Sequence, residues 1–244
     1  MTRALTLAAA VAEPLGEALG QISGLLTEGD QPAASLSGRI IQLVGLLTVL
    51  SLAPGLLVVM TSFTRFVIVF SMLRSALGLN QTPPNVVLTS LALFLTVFVM
   101  QPVFEAAWQG GLRPLLASEI LEEEAVPRIA APFHAFMAAN TRPVDIRLFQ
   151  EIRGETAAPE TAPGWQALVP AFMISELRRA FTIGFLLYLP FIAIDLIVAS
   201  VLMSAGMMML PPVMISLPFK VIFFVLIDGW YLLAGSLMQS YAGG

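Results

Sequence analysis

Four long apolar segments divide the chain, and each is long enough to cross a membrane as a helix. They run from Ile40 to Phe63, from Val86 to Trp108, from Ala180 to Met203 and from Val213 to Met238. Because a helix rises about 1.5 Å per residue, roughly 20 apolar residues cross the hydrocarbon layer of a bilayer. A shorter apolar piece, Phe66 to Leu73, follows the first segment. The pattern predicts an all-α, membrane-associated protein.

Proline-rich turns join these segments into two helical hairpins. Pro83 and Pro84 lie in the first turn, and Pro211 and Pro212 lie in the second. Proline lacks the amide hydrogen and pushes the preceding residue out of the helical region, so both places favour a turn. Each long segment also has one internal proline, which predicts a kink or an interruption. These prolines are Pro54, Pro102, Pro190 and Pro218.

A polar insertion separates the two hairpins. Residues 109–179 contain nine acids and seven arginines together with several prolines and glycines, which is typical of a water-exposed region. Within it, we expect a helix at Glu119 to Arg128, a short amphipathic piece at Phe133 to Ala139 and a linker at Gly154 to Gly164. The predicted organisation is a lead-in at 1–38, a first hairpin at 39–108, the insertion at 109–179 and a second hairpin at 180–244.

The N-terminus allows two interpretations. Arg3, the apolar run from Ala4 to Ala12 and its Ala-Val-Ala ending resemble a secretory signal peptide. A short amphipathic or disordered segment explains the same residues. A cleaved leader would place the polar insertion in the periplasm.

Composition excludes several classes of protein. The chain is 57% hydrophobic and only 11% charged, whereas soluble domains carry about 25% charged residues. A net charge of −4 gives no basic excess for nucleic acid. The chain has no cysteine and a single histidine, His134, which removes disulfides, thiolate nucleophiles and the usual zinc spacings. Because no phosphate-binding Gly-Lys motif or nucleophile with a base occurs either, we expect no cofactor and no enzyme activity.

Charged residues inside the apolar segments are candidates for a function. Asp195, Lys220 and Asp228 each cost about 2.5 to 3.5 kcal/mol in a membrane unless they are paired or hydrated. Asp195 lies 13 residues before Met208 and Lys220 lies 12 residues after it, so an antiparallel hairpin would bring these two to a similar depth. An ion pair within the hairpin or between copies is the first interpretation. An ion or solute carrier and a contact to another subunit are alternatives.

Two aspartates on adjacent apolar helices also permit an intramembrane aspartyl protease, in which Asp195 and Asp228 would share a proton. No glycine precedes Asp228 to open the backbone to a substrate, which counts against this interpretation.

Two further groups lie at the ends of the third apolar segment. Met207, Met208 and Met209 form an unusual loop that either dips into lipid or, as soft side chains from several copies, surrounds a pore. Before the segment, Arg179 follows Glu176 by three residues, which predicts a pair on one helical face. Arg178 would then remain free for a partner chain or for lipid headgroups.

Several motifs together resemble one family. They are Met60–Arg65, Gln101–Phe104, Pro170–Phe181, Ile183–Asp195, Gly206–Pro212, Ile215–Lys220 and Asp228–Trp230. In this combination the chain resembles the flagellar biosynthesis FliP family and its virulence-system relatives in type III secretion, from about residue 40 to the C-terminus.

The resemblance implies a core subunit of an export gate in the bacterial inner membrane, at the flagellar basal body. About five copies would assemble with two smaller export-gate membrane proteins into a helical, conical assembly around a channel for unfolded export substrates. Many apolar segments would then pack on neighbouring subunits rather than on membrane lipids. A homologous subunit of a virulence injectisome is the alternative.

The resemblance also assigns roles to two groups of residues. Met207, Met208 and Met209 correspond to a methionine gasket that seals the closed pore. Glu176, Arg178 and Arg179 correspond to contacts between gate subunits.

Overall fold

The computed structural model describes residues 43–45, 47–48, 51, 55, 58–79, 81–154, 162–207 and 210–242. Contacts divide the chain into two units, Met1–Leu52 and Ala53–Gly244. The described residues of the first unit are helical, and there the Thr48 hydroxyl donates to the Val44 carbonyl at 2.7 Å. All the helices named below belong to the second unit.

Helices make up almost all of the described part of the second unit. In chain order they are α1 (Phe63–Ala76), α2 (Asn85–Ala107), a π-helical turn (Trp108–Leu112), α3 (Arg113–Leu116), α4 (Glu122–Asn140), α5 (Pro143–Ile152), α6 (Trp165–Ser204), α7 (Pro212–Leu226) and α8 (Gly229–Ala242). Because the described residues include no strand, the predicted all-α class is confirmed for this part of the chain.

Among the described residues, two continuous helical stretches are long and apolar enough to cross a membrane, namely Asn85–Leu116 and Trp165–Ser204. The pair α7 and α8 makes a third candidate, although the two helices are bent by 62° at a short break. The structure describes about half of the first predicted segment, Ile40 to Phe63, and the proline of this segment, Pro54, lies outside the described residues.

The break in the fourth apolar segment lies at residues 227 and 228 rather than at its internal proline. Helix α7 continues through Pro218, as α2 and α6 continue through their own prolines. At the break, Asp228 has a φ of 51°. A Cβ on the next residue, Gly229, would lie only 2.2 Å from the Phe224 ring. The close packing of this ring therefore requires glycine where α8 begins.

The insertion contains longer helices than its sequence predicts. One helix, α4, begins three residues later than the piece expected at 119–128 and continues through the piece expected at 133–139. Three glutamates in its first turn favour its N-terminus. Helix α6 is 40 residues long and runs straight through Arg179, where the sequence places the end of the insertion. Two polar residues shortly before Arg179, Ser175 and Glu176, have partners on other helices, so they lie within α6 rather than at its end.

The main core forms around one face of α1. Phe66, Val69, Phe70 and Leu73 recur at the spacing of a helical face and are fully or almost fully buried. This face packs most extensively against α6 and also against α2. Side chains from the other helices complete the core: Leu88, Ala92, Ala180, Phe191, Phe224, Leu233 and Leu237. A second, smaller cluster between α4 and α6 contains Met137, Leu168 and Phe172.

Candidate functional site

A buried ion pair connects α1 to α6. The side chains of Arg65 and Glu176 are both 0% exposed. Arg65 donates from Nε to Glu176 Oε2 at 2.8 Å and from Nη2 to Oε1, so the contact is bidentate. Its third nitrogen, Nη1, donates to the Ser240 hydroxyl at 2.6 Å. Buried charges are tolerated when they are paired and fully hydrogen-bonded, as these are.

Tyr241 of α8 completes this cluster. Its hydroxyl donates to Glu176 Oε2, and its ring lies 3.7 Å from the guanidinium carbon of Arg65. The carboxylate thus binds a cation from α1 and a hydroxyl from α8 at once. The cluster fixes three helices relative to one another.

The pairing predicted between Glu176 and Arg179 is wrong. Glu176 lies on the buried face of α6 and points to α1, whereas Arg179 is partly exposed and Arg178 is exposed. In the described part of the chain, neither of these two arginines makes an ion pair with Glu176. Spacing within one helix could not reveal Arg65, which lies 111 residues earlier in the sequence.

A second polar network joins the start of α5 to α6. Arg142 donates to both carboxylate oxygens of Asp145, at 2.8 and 2.6 Å, and the Ser175 hydroxyl donates to the same carboxylate. Burial alone would raise the pKa of Asp145. The effect of burial is outweighed by the hydrogen bonds from Ser175 and Arg142 and by the positive charges of Arg142 and Arg178. Together they hold the pKa of Asp145 below its ordinary value.

The structure brings two of the three intramembrane charges together. Lys220 Nζ lies 2.6 Å from Asp195 Oδ2, and it also donates to the Ala76 carbonyl at 3.2 Å. The Ser216 hydroxyl donates to the other oxygen of Asp195 at 2.5 Å. The pair forms within one chain and joins α6 to α7. It also places a positive charge at the C-terminal end of α1, where the helix dipole favours a cation.

Asp228 lies apart from this pair. It is exposed at the break between α7 and α8, and its side chain makes no hydrogen bond or ion pair with another described residue. Because the carboxylate of Asp195 is held by Lys220 and Ser216, the geometry gives no support to an aspartyl dyad that shares a proton.

The loop between α6 and α7 carries the methionines. Gly206 has a φ of 74°, and the Met207 amide donates to the Leu202 carbonyl at 3.0 Å, which ends α6 in the manner of a left-handed C-cap. Met207 is 47% exposed. Met208 and Met209 lie outside the described residues.

Sequence reasoning did not single out Arg65, Tyr241 or Asp145 as site residues. Arg65 carries a usable signal, because it is a lone charge between two apolar pieces and such a charge requires a partner. Tyr241 and Asp145 carry no comparable signal, since their roles depend on helices that are distant in the sequence.

Comparisons with a family model and with individual known proteins identify the same family. A family model described as the FliP family matches residues 46–237. A flagellar biosynthetic protein FliP from Agrobacterium fabrum is 57% identical over 210 residues, which are 85% of this chain and 86% of that protein. The proteins of the same name from Caulobacter vibrioides and Bacillus subtilis are 54% and 51% identical. Their alignments cover 86% and 82% of this chain, and 80% and 91% of those proteins.

Proposed function

Because this chain belongs to the FliP family, we propose that it is a core subunit of the flagellar type III protein export gate. Several copies assemble with other export-gate membrane subunits around a channel for unfolded export substrates. The named relatives are flagellar, which favours a role in motility over one in a virulence injectisome. The family match over residues 46–237, which includes the methionine loop, is the observation that carries this proposal.

The exposed apolar surface of the single chain supports assembly. Phe94 and Phe98 of α2 and Leu196 of α6 are each more than 60% exposed, and Leu226 of α7 is 78% exposed. Large apolar side chains exposed on three helices are unusual for a soluble monomer, so we expect lipid or neighbouring subunits to cover them. An oligomer within the inner membrane at the flagellar basal body supplies both.

The α6–α7 hairpin suggests how the channel is sealed. The ion pair between Asp195 and Lys220 holds the two arms together about 13 residues from the loop, which is roughly 20 Å along a helix. Beyond this pair, Met207, Met208 and Met209 provide unbranched, polarizable side chains that adapt to irregular shapes. A ring of such loops closes the empty channel, yields to a passing polypeptide and closes again.

The subunit is passive in this mechanism. Its paired charges position helices rather than react, and the energy for export comes from other components. With a cleaved leader, the insertion lies on the periplasmic side, and its arginines do not conflict with this orientation because the positive-inside rule is reliable only for short loops.

The mass of the complex purified from its native membrane in mild detergent tests this proposal. We expect an oligomer that contains several copies of this chain and other membrane subunits. A stable monomer of 26.2 kDa would count against the gate. Replacement of the three methionines by alanine should make the assembled complex leak ions, and an unchanged leak would reject their sealing role.

A further inference from the structure

A cavity lined by arginines lies where α6 passes from the insertion into its apolar stretch. It has a volume of about 360 Å³ and is lined by Arg65, Arg142, Arg178 and Arg179, together with the hydroxyls of Thr182 and Ser240. We propose that this arginine cavity binds the phosphate of an acidic phospholipid headgroup. The inference rests on the proposed membrane placement of α6 and names a lipid site within it.

The cavity has an excess of positive charge. Glu176 neutralises Arg65, and Asp145 neutralises Arg142, through the bidentate contacts described above. The other two guanidiniums form no ion pair or hydrogen bond with another described residue. One of them acts at longer range on Asp145, but that carboxylate is already held by two closer donors. Two cations in the cavity therefore remain available to an anion.

Phosphate suits these cations better than a smaller anion does. Each guanidinium is a planar fork that binds two phosphate oxygens at once. A phosphodiester has enough acceptor oxygens for both arginines. The Thr182 and Ser240 hydroxyls in the lining donate to the Arg178 and Leu237 carbonyls, so the two arginines supply the donors for the phosphate.

The position of the cavity favours a lipid as the source of the phosphate. From Phe181 to Met203, α6 contains Asp195 as its only charged residue, and it exposes large apolar side chains beside the cavity such as Phe181 and Phe185. Arginines at the end of an apolar helix stretch place their charges at the level of lipid headgroups. An acyl chain would lie along the exposed face of α6 while its headgroup occupies the cavity.

Lipid selectivity of the purified full-length chain tests the proposal. Delipidated protein in neutral detergent is titrated with phosphatidylglycerol or with phosphatidylcholine of the same acyl chains, and bound lipid is measured by native mass spectrometry. We expect the wild type to prefer phosphatidylglycerol by about 10- to 30-fold, because two arginines contribute. The double variant Arg178→Gln/Arg179→Gln should lose most of this preference.

Two further variants separate the site from overall charge and from folding. Arg113→Gln/Arg128→Gln removes the same number of charges from exposed positions elsewhere in the insertion, and it should keep the wild-type preference. Arg178→Lys/Arg179→Lys keeps both charges without the fork, so it should keep part of the preference.

Several outcomes would overturn the proposal. They are equal binding of the two lipids by the wild type, an unchanged preference in the glutamine variant, and binding of inorganic phosphate alone as tightly as phosphatidylglycerol. A glutamine variant that keeps the lipid preference but no longer oligomerises would assign the arginines to a carboxylate of a partner subunit instead. A lipid preference in a chain that never oligomerises would overturn the gate proposal and leave the lipid site standing.

Discussion

Removing the charge of Glu176 should destabilise the protein far more than removing the charge of an exposed glutamate. In Glu176→Gln, the side chain keeps nearly the same size, but Arg65 is left as a buried cation without a counter-ion. Both side chains are 0% exposed, so water cannot replace the lost carboxylate.

The structure sets the expected magnitude. Breaking a buried ion pair by removing one partner costs about 3 to 5 kcal/mol. Because glutamine still offers an oxygen to Tyr241 and to one arginine nitrogen, we expect a loss near the lower limit, about 3 kcal/mol. The control is Glu124→Gln, since Glu124 pairs with Arg128 on the surface, where the two side chains are 60% and 52% exposed. Exposed pairs of this kind contribute about 0 to 1 kcal/mol.

Unfolding in mixed micelles by increasing fractions of a denaturing detergent measures these differences. The double variant Arg65→Met/Glu176→Leu removes both charges and restores apolar packing, so it should be more stable than Glu176→Gln alone. A loss in Glu176→Gln no larger than that in Glu124→Gln would refute the view that the buried pair holds α1 and α6 together. A double variant less stable than the single one would refute the account of the unpaired cation.

Three further predictions concern other contacts. Lys220→Met should cost about 2 kcal/mol in the same unfolding assay, because it leaves Asp195 without its cation but that carboxylate is 33% exposed. A cost below about 1 kcal/mol would show that this pair does not hold the α6–α7 hairpin. Gly111→Ala should cost about 1 to 3 kcal/mol, because the new Cβ would lie 2.5 Å from the Ile129 side chain. The control is Gly110→Ala in the same π-helical turn, whose Cβ meets nothing within 4 Å and should not destabilise the protein. Equal effects of the two substitutions would contradict the close contact between Gly111 and Ile129. The folded pKa of Asp145 lies below its unfolded value, so the contribution of its charge to stability is complete above about pH 4 and is lost as the pH falls through the folded pKa. Asp145→Asn should therefore be less stable than wild type at about pH 7, and the difference should shrink at low pH. A difference in stability that does not change with pH would refute this.

The hydrophobic pattern was sufficient to predict that the described apolar segments are helical, but it did not predict where those helices end. The break after α7 depends on the fit of Gly229 against the Phe224 ring, a contact that no periodicity shows. The pattern also did not predict that α6 continues from the insertion into the apolar segment, again because the cause is a set of tertiary contacts. Ser175 and Glu176 indicate an exposed region by composition, yet both are buried against α5 and α1.

The candidate site was predictable to the extent that its partners are close in sequence. Counting residues from the loop placed Asp195 and Lys220 at a similar depth, and in the structure their charged atoms lie 2.6 Å apart. Arg65 and Glu176 come from opposite halves of the chain, and only the packing of α1 on α6 brings them together. Local spacing instead favoured Arg179, which lines the arginine cavity.

Disulfide trapping at the methionine loop tests the proposed gate most directly. The chain has no cysteine, so Met208→Cys introduces a single thiol at a known position. If the loops of neighbouring copies meet around a closed channel, mild oxidation of the assembled complex should give disulfide-linked dimers, because a disulfide requires Cα atoms within about 7 Å. Leu121→Cys, an exposed position in the insertion, measures background cross-linking. An intact oligomer in which Met208→Cys forms no more dimer than Leu121→Cys would contradict the account.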